Sequence, residues 1–227
     1  MREYSLHMDL SLDSALPPAH LAQLAAAGPI RDLVRGDLIY GQSEAAEHVY
    51  LLIHGGAKTF LINSSAQEAL LRIHLPGSLL GLTALTSARL RDASAIAIEP
   101  SRVVVIRREV ITRMIRSDAE LGLFVIQLLL DRMSDFHLRV GELQANRVEQ
   151  RLARALLSLS RPDPDTDQPS RHVGIALTHE ELAQMINTRR QTVTAALNRF
   201  AELGLLKRID RRLMVTDRTG LACLLPE

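Results

Sequence analysis

Residues 178–204, THEELAQMINTRRQTVTAALNRFAELG, leave little choice of local fold. Thr178 followed three residues later by Glu181 is a capping box, in which side chains and backbone at a helix start satisfy each other's donors. A short helix, HEELAQMI, comes next. Asn187-Thr188 breaks it and caps a second helix that runs through Glu202, where Gly204 stops it. Val193, Ala196, Leu197 and Phe200 recur at the spacing of a buried helix face. The first turn of the second helix instead carries Arg189, Arg190, Gln191 and Thr192. A helix N-terminus is the positive end of the dipole, so cations there work against stability. They imply a negative partner outside the protein.

The residues after Gly204 sharpen this reading. LLKRI, DRR and LMVTD (205–217) read as a β-hairpin, which turns helix, turn, helix into a winged helix-turn-helix. In that motif the second helix enters the DNA major groove N-terminus first. Arginine pairs bidentately with guanine, and glutamine with adenine. Residues 187–212 hold seven basic side chains (Arg189, Arg190, Arg199, Lys207, Arg208, Arg211, Arg212) against Glu202 and Asp210, although the whole chain is only +1. Such a local basic patch on a near-neutral protein suits nucleic acid.

Upstream the periodicity changes. HVYLLI (48–53), AKTFLI (57–62), EALLRIHL (68–75), ASAIAIE (93–99) and SRVVVI (101–106) are short apolar runs divided by glycine, proline and asparagine turn signals. They predict a β-sandwich or barrel flanked by short helices at LPPAHLAQLAAA and REVITRMI. Residues 109–146 show no glycine or proline break except Gly122 and Gly141, and a long helix is read within them. Its residues Ile126, Leu129, Met133, Phe136, Val140 and Leu143 repeat at alternating steps of three and four, the seam of a two-chain coiled coil. The other reading of this helix is packing on its own domain. A further helix (NRVEQRLARALLSLS) and a loop (RPDPDTDQPSR, 161–171) lead into the winged helix. The expected fold class is α+β, with a β-sandwich (jelly-roll) sensor domain over 1–117, a dimerisation helix over 118–146 and a winged helix-turn-helix over 147–227.

Several classes are disfavoured. One cysteine, Cys223, allows no internal disulfide and no cluster held by several thiolates. The opening residues lack the apolar core of a signal peptide, and the longest apolar run (121–130) is too short for a bilayer, so a cytoplasmic location without membrane contact is expected. No nucleophile elbow, P-loop, HExxH or Cys-x-x-Cys is present, and no metal set is recognisable, so the chain reads as a non-enzyme.

In this order, sandwich, seam helix and winged helix resemble the CRP/FNR family of transcription regulators from end to end. RGDLIYGQSEAAEHVYLLIHGGAKTF and LPGSLLG are similar to the cyclic-nucleotide-binding fold, and LTHEELAQMINTRRQTVTAALNRFAELGLL to the family's DNA-binding motif. The resemblance implies a homodimer on palindromic double-stranded DNA that contacts RNA polymerase. It implies a guanine contact from Arg190, with Gln191 beside it. It puts Thr178, His179, Thr188, Arg189, Thr192 and Arg199 near the backbone, and Arg211 on the wing. Ala195 stands where many members carry a further arginine.

The effector region departs from the family. Cyclic-AMP (cAMP) binders carry Gly-Glu, then Arg-Ser, then Thr-Ser on the long helix. Here these are Gly81-Leu82, Arg91-Asp92 and Phe136-His137. A carboxylate beside a bound phosphate repels it, which argues against conventional cAMP binding. The expected pocket, among Gly81, Leu82, Leu85, Arg91, Asp92, Phe136 and His137, is more apolar than a nucleotide site. The effector is unknown, and none is required. Another small molecule, a haem-based gas sensor using His74 or His137, and a cAMP response through Arg91 remain the alternatives.

Overall fold

The computed structural model describes residues 16–62, 68–87, 89–145, 147–162, 171–173, 176–209 and 212–225; side chains of 138–145, 161–162 and 171–175 are not described. Helix α1 (Pro18–Ala25) leads into eight strands: β1 (Ile30–Leu33), β2 (Leu38–Tyr40), β3 (His48–His54), β4 (Ala57–Ile62), β5 (Glu68–His74), β6 (Leu79–Leu80), β7 (Ser94–Ala97) and β8 (Ser101–Arg107). They form two antiparallel sheets, ordered β1-β8-β3-β6 and β2-β7-β4-β5. The sheets border two apolar clusters. One, with Leu33, Ile39, Leu52, Leu80 and Val103, lies between the sheets. The other, with Val49, Leu51, Leu79, Val104 and Ile106, packs outward onto helices. This is the jelly-roll arrangement the alternating runs predict.

Helix α2 (Arg108–Ser117) passes into the long α3 (Ala119–Ala145), with Asp118 between them accepting from the amides of Glu120 and Leu121. Those hydrogen bonds, the Leu121 amide first, hold the Asp118 carboxyl below its ordinary range; His20 adds to this at 3.1 Å. Helix α3 has two apolar faces. Leu121, Phe124, Val125 and Leu128 are buried against the roll. Ile126, Leu129, Met133 and Phe136 stand on the other side and are about half exposed or more, as are Leu123 and Leu130. Packing of this helix on its own domain therefore holds for one face, while the other is apolar and exposed. The seam positions Val140 and Leu143 lie outside the described side chains.

The C-terminal lobe contains α4 (Val148–Leu159), β9 (Ser160–Pro162), β10 (Arg171–Val173), α5 (His179–Met185), α6 (Arg190–Glu202), β11 (Leu206–Ile209), β12 (Arg212–Val215) and α7 (Arg218–Ala222). Its sheet is ordered β11-β12-β10-β9. The reading of 161–171 as pure loop is corrected at both ends. Residues 160–162 pair with 171–173, and β10 pairs in turn with β12. Strands of three residues have no periodicity to read; the wing's edge stabilises them through backbone bonds from outside the segment. The lobe's core contains Leu152, Leu156, Leu182, Val193, Leu197, Phe200 and Val215, and is continuous with Leu70, Ile73 and Leu75 at β5 of the roll.

Candidate nucleic-acid interface

The capping box forms as the sequence requires. Thr178 Oγ1 accepts from the Glu181 amide (3.1 Å), and Glu181 Oε2 accepts from the Thr178 amide (2.7 Å). Glu181 is buried, and Arg35 of the roll approaches its other oxygen at 3.5 Å. The turn after α5 differs from expectation. Asn187-Thr188 does not cap the second helix: Asn187 adopts a left-handed backbone (φ 50°), the Thr188 amide returns to the Ala183 carbonyl (2.9 Å), and Arg189 occupies the cap. Asparagine tolerates that conformation better than most residues, so its place is the turn itself. Arg189 accepts from the Thr192 and Val193 amides through its carbonyl and offers no side-chain cap.

Consequently Arg189, Arg190, Gln191 and Thr192 form a contiguous exposed group at the open end of α6. Behind them Val193, Ala196, Leu197 and Phe200 are buried. The far end closes in a Schellman motif: Gly204 (φ 72°) donates to Ala201, and Leu205 to Phe200 (2.9 Å). Thr178 and Arg199 are exposed; Thr188 is half-buried. Lys207, Arg208 and Arg212 are exposed on the wing, while Arg211 lies outside the described residues.

His179 links the two helices. The Thr194 hydroxyl donates to the Arg190 carbonyl (3.0 Å), so it accepts from His179 Nδ1–H (2.8 Å). Partial burial, then the charges of Arg208 and Arg190, lower the pKa of this histidine, favouring the neutral ring. A missed contributor is Arg151 on α4, whose Nε donates to the Ile186 carbonyl in the turn (3.0 Å). No sequence signal marks it, since the contact spans 35 residues.

The residues expected to line an effector pocket are not brought together in this way. Arg91 is buried at 3% exposure and donates to the carbonyls of Gly81 (2.8 Å) and His48 (2.6 Å). Its guanidinium lies 4.4 Å from the ring centre of Tyr40, which stacks on Tyr50 at 5.6 Å. Burial pushes the Tyr40 phenol up to about 12. Gly81 is required there: its φ is 74°, and a Cβ would sit 2.6 Å from Arg91 Nη1. Leu82 belongs to the helix-facing cluster with Leu85 packed beside it, Asp92 is exposed, and Phe136 and His137 lie on the open face of α3. His74 is buried, with Nε2 at 3.2 Å from Thr59 Oγ1. Burial first, then Arg132 and Arg72, drive its pKa well down. Nearby, Arg72 pairs with Asp135 of α3 (2.9 Å), and Arg132 donates to Leu79 O (2.7 Å). Among the described residues no three His, Cys, Asp or Glu side chains could hold a metal ion, and no helix is long and apolar enough to cross a membrane.

Comparison with known proteins agrees with this architecture. The cyclic nucleotide-binding domain family matches residues 30–118, and the Crp-like helix-turn-helix domain family matches 150–224. The chain is 30% identical to the transcriptional regulatory protein btr of Bordetella pertussis, over 84% of this chain and 78% of that one. It is 26% identical to a CRP-like cAMP-activated global transcriptional regulator of Mycobacterium tuberculosis, over 90% and 92%. The solved structure of FixK2 from Bradyrhizobium japonicum superposes with a TM-score of 0.75 at 19% identity, covering 88% of this chain and 98% of that one. A β-roll joined by a long helix to a helix-turn-helix combines a cyclic nucleotide-binding fold with a DNA-binding one. The chain belongs to the CRP/FNR family of transcription regulators, a family of DNA-binding proteins and not of enzymes.

Proposed function

We propose that this protein acts in the cytoplasm as a homodimer that reads a palindromic operator by placing α6 in the major groove, N-terminus first. The carrying observation is the exposed group Arg189–Thr192 standing on a helix whose other face is fully buried. Arg190 is assigned a bidentate guanine contact and Gln191 the neighbouring base. Thr178, His179, Thr188, Arg189, Thr192, Arg199 and Arg211 are assigned backbone positions, with phosphate favoured at the helix start. The exposed residues Ile126, Leu129, Met133 and Phe136 of α3, together with Val140 and Leu143 of the same sequence repeat, are assigned to the partner helix. An aspartate at Met133 then buries two like charges in the dimer, and sedimentation should report monomers. Residues 1–117, 118–146 and 147–227 serve as sensor, dimerisation helix and DNA reader, and RNA polymerase is the downstream partner.

The roll is not a conventional cAMP site in this reading. Arg91, the one arginine at the phosphate position, already serves two carbonyls and a tyrosine face. The test is a titration of the full chain on operator DNA selected from a random pool, at fixed salt, with and without cAMP. Tight specific binding that is unchanged by cAMP is expected. A strong dependence on cAMP would overturn the assignment of Arg91 as a strut.

A further inference from the structure

On the outer side of the roll, the loop after the turn Leu82–Leu85 faces α2 across a cleft of about 590 Å³. Four arginines line it: Arg89 from the loop, and Arg108, Arg113 and Arg116 from the helix. Glu109 is the one acid in the lining, and it approaches Arg108 only at 3.9 Å. Arg89, Arg113 and Arg116 have no ion pair among the described residues. Arg113 and Arg116 lie three apart on one helix, where like charges repel. Ser87 from the loop and Thr112 from the helix also line the cleft.

The cleft is held in shape. Arg89 adopts a left-handed backbone (φ 55°), rare for a residue with a side chain. Its carbonyl accepts from the Ala46 amide (2.8 Å), and the Arg91 amide donates to Glu44 O (2.9 Å). One hydrogen bond on each side of Leu90, itself bridged to Ala45, therefore holds the loop backbone at Arg89. On the other wall, Arg108, Thr112 and Arg116 are spaced by four and share one face of α2, with Arg113 beside them. Neither the DNA-reading group nor the interior of the roll uses these residues.

We propose that this cleft is a second binding site, for a compact small molecule carrying linked phosphates. The volume is that of a small-molecule pocket. Guanidinium forks match phosphate oxygens bidentately, and hydroxyls can donate to the remaining ones. Four cations around one short concavity match several charges on one short chain. Phosphates place more charge per atom within that span than the spaced carboxylates of an acidic peptide.

The test uses the full-length protein and calorimetric titration with inorganic tripolyphosphate at low salt. One site per chain is expected. The double variant Arg113→Ala/Arg116→Ala, both on exposed side chains, should weaken binding at least tenfold with an unchanged circular dichroism melt. Arg190→Ala should bind as the parent does, which separates this site from the DNA interface. ATP binding tenfold tighter than tripolyphosphate would assign the ligand to the nucleotides; equal affinity would assign recognition to the phosphate chain. No measurable tripolyphosphate binding, equal binding by the double variant, or tighter binding of a polyglutamate peptide than of tripolyphosphate would each overturn the proposal.

Discussion

Arginine is used in opposite ways at the two ends of this molecule. On α6, Arg189 and Arg190 stand exposed with a buried apolar face behind them. In the roll, Arg91 is enclosed, hydrogen-bonded to two carbonyls and laid on Tyr40. The exposed pair keeps its donors for something outside the chain. The buried one has two donors held by backbone carbonyls. The residue type is therefore silent about role until its neighbours are known. A cation whose partners are supplied by its own backbone is a strut; one supported only from behind suits the reading role proposed for Arg190.

The comparison can be tested at four strengths. The largest effect is expected behind the reader. Phe200→Ala removes a fully buried ring from the winged-helix core and should cost about 3–5 kcal/mol in urea unfolding. Next comes the strut. Arg91→Ala leaves the Gly81 and His48 carbonyls without this donor and should cost about 2–4 kcal/mol of stability, while operator affinity of the folded fraction stays near parental. If Arg91→Ala is neutral in stability, the strut assignment fails. The reader itself should behave inversely. Arg190→Ala should leave the unfolding midpoint unchanged and cost about 1–3 kcal/mol of specific binding, relaxing one base position. Equal losses on operator and random DNA would make Arg190 a phosphate contact.

The smallest effect is a pH dependence. His74 is held neutral in the folded state, so below its ordinary value of 6.5 the unfolded chain binds the extra proton. Stability is then full above pH 6.5 and falls as the pH drops, with a slope of at most about 1.4 kcal/mol per pH unit from this group. His179 adds in the same direction. His74→Gln should flatten the slope between pH 6.5 and 5, measured by denaturant titration at each pH; an unchanged slope would place the cause elsewhere.

Legibility in the sequence tracked the range of the interactions. The capping box at Thr178, the Gly204 stop and the buried set from Val193 to Phe200 act within a few residues, and each stands where it was expected. The start of α6 moved by one residue from the expected cap, because the Thr188 amide bonds back to Ala183 and leaves the cap to Arg189. The β9–β10 pair went unseen because its stability comes from the edge of β12. Arg151 reaching Ile186 and Arg72 reaching Asp135 join residues 35 and 63 apart, which no local pattern encodes.

By itself the sequence determined the order of lobes, the helix-turn-helix and its basic end, and the apolar stripe of α3, because periodicity and capping are local physics written in adjacent residues. Tertiary structure alone decided that Arg91 is enclosed while Arg89, two residues away, opens onto a basic cleft. It also decided that α3 packs one apolar face on the roll and leaves the other open. Burial and hydrogen-bond partners at these positions come from strands and helices distant in the chain, so they exist only once the sheets have closed.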